Sequence, residues 1–148
     1  MMKKLFLAIA MTLLASLSAQ AGDKIHRVAF QISDDSADKM TLVLNNAANV
    51  AQYYSAKGEQ VEIKVVAFHG GVDMMRTDKS PVLDRLKSVT ESLPNLTIEV
   101  CNNTLNSIAK RENKKVSEIP IFAGSKIVPA GVVELIDLNE QGWTIIRP

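Results

Sequence analysis

Short β-rich runs and amphipathic helical stripes take turns along this chain, and that alternation limits the folds open to it. Ile25 to Ile32 (IHRVAFQI) is the first run, and it ends in Ser33-Asp34-Asp35-Ser36, a cluster whose side-chain oxygens can accept from the free N–H groups of a helix start. Met40, Val43, Leu44, Ala47, Val50, Ala51 and Tyr54 then recur at steps of three and four, which predicts a helix closing at Lys57-Gly58. Val61 to Phe68 (VEIKVVAF) alternates and then becomes continuously apolar, the pattern of a strand covered on both faces.

The second half repeats the pattern. His69-Gly70-Gly71 is a turn, followed by a short irregular or helical piece through Met75. Ser80-Pro81 opens a helix with the stripe Val82, Leu86, Val89 and Leu93, proline being harmless at a first helical position. After Pro94, Leu96 to Val100 is a third strand, and Asn102 or Asn103 can cap a brief helix through Ile108 whose end carries Lys110 and Arg111. Pro120 and Gly124 interrupt the segment from Ser117 to Ser125; Ile127-Val128 is a fourth strand, Gly131 to Gln141 a helix and Trp143 to Ile146 a last strand. Parallel neighbours need crossover connections and helices supply them, so the expected fold is α/β: a three-layer sandwich with a mostly parallel sheet of about five strands flanked by helices.

Ahead of this domain stands MMKKLFLAIAMTLLASLSAQA, residues 1–21. Lys3 and Lys4, an apolar run from Leu5 to Leu17 and Ala19-Gln20-Ala21 have the order of a signal peptide, and the run is too short to span a bilayer. The expectation is a periplasmic or secreted protein of one domain, 22–148, with no membrane attachment after cleavage. Removing Lys3 and Lys4 leaves 15 basic against 16 acidic residues, which gives no basic footprint for nucleic acid.

Ligands of open α/β sheets bind outside the carboxyl ends of the strands. Those ends fall at Ser33-Asp34, His69-Gly70-Gly71, Cys101-Asn102 and Pro129-Ala130-Gly131, which puts the single cysteine on the rim and before a helix start, where a thiolate is favoured. Free cysteine is as often a small buried hydrophobe. Alternation sets Cys101 on the face of Thr97 and Glu99, and the Glu99 charge would raise a thiol pKa. His69 is a candidate proton acceptor, against the plainer reading of a loop histidine; His26 opens the first strand at the far end. Two histidines and one cysteine make no zinc site, and Gly70-Gly71 lacks the spacing of a phosphate loop, so neither metal nor cofactor is expected. Asp34-Asp35 is read as capping and the Lys110, Arg111, Lys114, Lys115 cluster as a solvated helix end.

The pieces VCNNTL, VPAGVVEL, QGWTIIRP, LNNAANV and FHGGV together resemble the DsrE/DsrF-like (YchN-like) family, in particular its exported members, from His26 to Pro148. The resemblance implies a parallel-sheet α/β fold, a homo-oligomer of the trimer or hexamer kind, and sulfur relay through a persulfide on a cysteine matched here by Cys101. The turn His69-Gly70-Gly71 departs from the family's Gly-Pro-containing turn.

Two functions follow from different classes. One is a sulfur carrier or sulfurtransferase with Cys101 as acceptor, Asn102, Asn103, Gly70, Gly71, Pro129 and Gly131 forming the binding rim, and a donor or acceptor that is a protein or a small thiol. The other is a non-catalytic periplasmic module that uses the same rim to bind a small ligand or partner.

Overall fold

A computed structural model describes residues 24–148; the signal-peptide expectation lies outside them. Strands β1 (Ile25–Ile32), β2 (Gln60–Ala67), β3 (Leu96–Cys101), β4 (Ser125–Val128) and β5 (Thr144–Ile146) form one sheet in the order β4-β3-β2-β1-β5. Every pairing is parallel. The longest, β1 with β2, runs in register from Ile25↔Gln60 to Ile32↔Ala67. The expected fold class is therefore the observed one.

Helices α1 (Ala37–Ala56), α2 (Leu83–Ser92) and α3 (Asn102–Glu112) follow β1, β2 and β3 in turn. They cover one face, where Phe30, Ile63, Val65 and Ile98 of the sheet meet Met40, Leu44, Leu86 and Ile108. Helix α4 (Gly131–Glu140) follows β4 and covers the other face, packing Leu135 and Leu138 on Ala29, Val66 and Trp143. The face change follows from handedness. The first three crossovers step outward along the sheet, whereas the last returns to the far side of β1, and a right-handed return must pass over the opposite face.

Local departures from the sequence expectations have local causes. α2 begins at Leu83, not Pro81; Ser80 Oγ accepts from Val82 N–H at 3.3 Å, a turn placed ahead of the helix. α1 has Ser36 at its cap position without a side-chain cap bond; the local bond is instead an Asx turn in which Asp34 Oδ1 accepts from Ser36 N–H at 2.9 Å. Neither Asn102 nor Asn103 caps α3: the cap position belongs to Cys101 itself. α3 also runs past Ile108 to Glu112 and ends on Asn113 in the left-handed conformation, φ 52°. Beyond it, the buried Arg76 guanidinium, 1% exposed, binds the carboxylates of Asp78 and Glu112.

Candidate functional site

β3 and β4 are neighbours, yet the helices that leave them lie on opposite faces of the sheet. The strands stay paired to their last residues, but the chain leaves them in opposite directions, and a cavity of about 580 Å³ opens beyond their carboxyl ends and extends along α3. Cys101 lies at this opening as the last residue of β3, paired in register with Val128 of β4, and is 5% exposed. Also lining the cavity are Asn103, Thr104, Ser107 and Arg111 from α3, Phe68 to Gly70 and Asp73 after β2, Asp35 after β1, and Gly131 and Val132 of α4.

Two helix amino ends converge on the sulfur. Burial alone pushes the Cys101 thiol up, but the Thr104 hydroxyl and the N–H groups of Gly131, Thr104 and Asn103 together outweigh it and hold the pKa below that of an ordinary thiol. The neutral thiol closes no regular capping bond; Asn103 N–H donates to the Pro129 carbonyl at 3.3 Å, and a thiolate is the stronger acceptor for the Thr104 and Gly131 donors. Thr104 is oriented for the task. His69 N–H donates to Thr104 Oγ1 at 3.0 Å, which occupies a lone pair and leaves the hydroxyl hydrogen free to turn toward sulfur.

His69 is thus at the site, but it bonds Thr104 through its backbone and not its ring. It sits at φ 50°, in the left-handed region that is strained for a residue with a Cβ. The glycines that follow explain how the turn fits. A Cβ on Gly71 would stand 2.1 Å from the Ile32 carbonyl oxygen, and one on Gly70 would stand 3.0 Å from Asp35 N. Their smallness lets the β2 exit press against the β1 exit, so the two loops share one wall. Gly131 serves α4 in the same way, since a Cβ there would lie 3.0 Å from Phe68. Of the binding rim expected from sequence, Asn103, Gly70 and Gly131 line the cavity, whereas Asn102, Gly71 and Pro129 do not.

The charge expected to work against a thiolate is answered locally. Glu99 is fully buried under α4, and its Oε1 accepts from Lys64 Nζ at 2.8 Å and Lys126 Nζ at 3.4 Å. Lys64 also reaches Glu134 at 3.3 Å. Glu99 therefore meets cations rather than imposing a bare negative charge on the sulfur two residues away.

Among the polar cavity residues, sequence reasoning missed Thr104, Ser107, Asp35, Asp73 and Arg111. Asp35 looked like a cap and Arg111 like a solvated helix end. Arg111 could have been found from spacing, since Asn103, Ser107 and Arg111 recur every four residues and so share one face of α3. His26 is at the opposite end, stacked on Tyr54 with ring centroids 3.8 Å apart and bonded to Glu59. Among the described residues no group of three or more His, Cys, Asp and Glu side chains is placed to hold a metal ion.

No family model and no curated protein matches this chain. A solved structure does: the protein of unknown function MTH1491 from Methanobacterium thermoautotrophicum, 28% identical, covers 83% of this chain and 99% of its own with a TM-score of 0.68. The likeness spans the whole α/β domain, so the five-stranded architecture is shared with that archaeal protein.

Proposed function

We propose that this protein is an exported sulfur carrier or sulfurtransferase of the DsrE/DsrF-like kind, holding sulfane sulfur as a persulfide on Cys101. The observation that carries the reading is the set of donors gathered at one thiol: the Thr104 hydroxyl and the backbone N–H groups of Gly131 and Thr104, from two helix starts. Such a set stabilises a thiolate, the form that attacks sulfur, and equally the anionic persulfide that results. Gly131 acts through its N–H group, and His69 acts by fixing Thr104.

One observation favours the second reading, a non-catalytic binding module: Cys101 is only 5% exposed, as a packing cysteine would be. Intact-mass spectrometry of folded protein treated with inorganic polysulfide separates the two. Gain of one sulfur atom by the wild type and none by Cys101→Ser supports the carrier. Failure to gain sulfur, with alkylation only after denaturation, transfers the site to the binding module.

We further propose that the mature protein is periplasmic or secreted and assembles into a homo-oligomer. Val132, Val133 and Ile136 support assembly, because α4 turns these three side chains outward, each 53% exposed, after already burying Leu135 and Leu138 inward. Light scattering at micromolar concentration tests this; a monomeric mass counts against it.

A further inference from the structure

The cavity is not a simple hole over the sulfur. It runs along α3, from Cys101 at the cap position past Asn103 and Ser107 to Arg111. Asn103 to Arg111 is two turns, roughly 12 Å of axial rise, with helical side chains leaning back toward the amino end. Its charges are also unspent. Among the described residues Arg111, Asp35 and Asp73 take part in no ion pair, although most other charged groups nearby do: Asp34 with Lys39, Arg76 with Asp78 and Glu112, Lys114 with Glu112. Asp35 and Asp73 come from the two loops that Gly70 and Gly71 bring together, so the wall facing α3 is negative while α3 itself presents a cation.

A recess with a nucleophilic sulfur at one end, a guanidinium along its length and carboxylates on the facing wall matches a ligand that carries sulfur, carboxylate and ammonium groups together. Length selects among such ligands. Free cysteine is too short to reach from the sulfur to Arg111, whereas two or three extended residues cover about 7 to 10 Å. A cysteine within a protein has the length but lacks the free terminal charges, and Cys101 is recessed from the surface.

Resting on the carrier reading, we infer that the donor to Cys101 is the persulfide of a short zwitterionic peptide thiol of two or three residues, its carboxylate held by Arg111 and its ammonium by Asp35 and Asp73. The transfer balances without an oxidant. The Cys101 thiolate attacks the outer sulfur of the peptide persulfide, a new sulfur–sulfur bond forms, and the peptide's own sulfur–sulfur bond breaks. That electron pair departs on the peptide sulfur as a thiolate. The proton of the persulfide stays with the transferred sulfur or passes to water.

Glutathione persulfide is the probe, its ethyl diester persulfide the uncharged-carboxylate control and its N-acetyl persulfide the uncharged-amine control, with sulfur uptake by the folded protein followed as an initial rate by intact-mass spectrometry. The free acid should load Cys101 about tenfold faster than the diester, the scale of one charge-assisted hydrogen bond. Arg111→Gln should erase that preference and leave the diester rate unchanged, with Arg111→Lys restoring part of it. Asp35→Asn combined with Asp73→Asn should slow the free acid but not the N-acetyl form. Equal rates for acid and diester on the wild type, together with normal loading by inorganic polysulfide, overturn this inference and leave the carrier reading standing. If neither persulfide nor polysulfide adds sulfur to Cys101, both fall.

Discussion

The two ends of the sheet carry cavities of similar size and opposite character. The one at the strands' amino ends, about 670 Å³, is lined by Ala48, Gln52 and Ser55 of α1, by Gly58, and by Ser92 at the end of α2 with Leu93 to Asn95 after it. Both helices finish there, so the negative ends of their dipoles face it. The other, about 580 Å³, receives the starts of α3 and α4 and hence N–H groups. In a parallel α/β sheet every crossover helix runs against its strands, which sorts backbone donors to one end and acceptors to the other. Volume does not distinguish these cavities as anion sites; helix polarity does.

The largest expected effect breaks the comparison outright. Cys101→Ser should abolish sulfur uptake from polysulfide, whereas Gln52→Ala in the amino-end cavity should leave it unchanged; intact mass reads both. Uptake lost equally in both variants would show that the two ends are not chemically distinct.

Next come two glycines. Gly71→Ala forces a Cβ against the Ile32 carbonyl and should cost about 3 kcal/mol by urea denaturation. Gly58→Ala, at φ +69° in open space, should cost about 1 kcal/mol from its left-handed backbone alone. Equal losses would mean that the close approach of the β1 and β2 exits is not what holds the carboxyl-end wall.

A finer test concerns the donors. Thr104→Val removes one hydroxyl that favours the thiolate and should raise the Cys101 pKa, seen as a higher midpoint in the pH dependence of alkylation. His69→Gly keeps the N–H that holds Thr104 and removes only the ring, so the midpoint should stay in place. A shift in the second variant as large as in the first would assign the work to the imidazole instead.

The smallest effect lies at the far end of α3. Arg76 and Lys114 hold the Glu112 carboxyl down to about 2 from an ordinary 4.5. A folded pKa below the unfolded one stabilises the fold above about pH 4.5, and that contribution disappears as the pH falls toward 2. Acid unfolding of Glu112→Gln should therefore show a shallower pH dependence across that window, while the alkylation midpoint of Cys101 is unaffected.

Much of this site could be placed on the rim from sequence, because Leu96 to Val100 and the helix after it fix where Cys101 must fall. The donors around it could not. Thr104 is close in sequence, but its hydroxyl is oriented by the His69 N–H, 35 residues earlier, and Gly131 reaches the site only because the last crossover changes face. Arg111 and Asp35 looked like an ordinary helix end and an ordinary cap, since a local reading assigns each polar residue the cheapest local partner.

What the sequence by itself determined is the layer order and the parallel sheet, because hydrophobic period and capping residues are local and directly encoded. Strand order, and with it the divergence of the helices that follow β3 and β4, came from tertiary structure: right-handed crossovers must be laid down in three dimensions before α4 returns across the opposite face. That return brings a second helix start to Cys101. The thiol's surroundings are therefore a property of the topology, while its place at the end of a strand is a property of the chain.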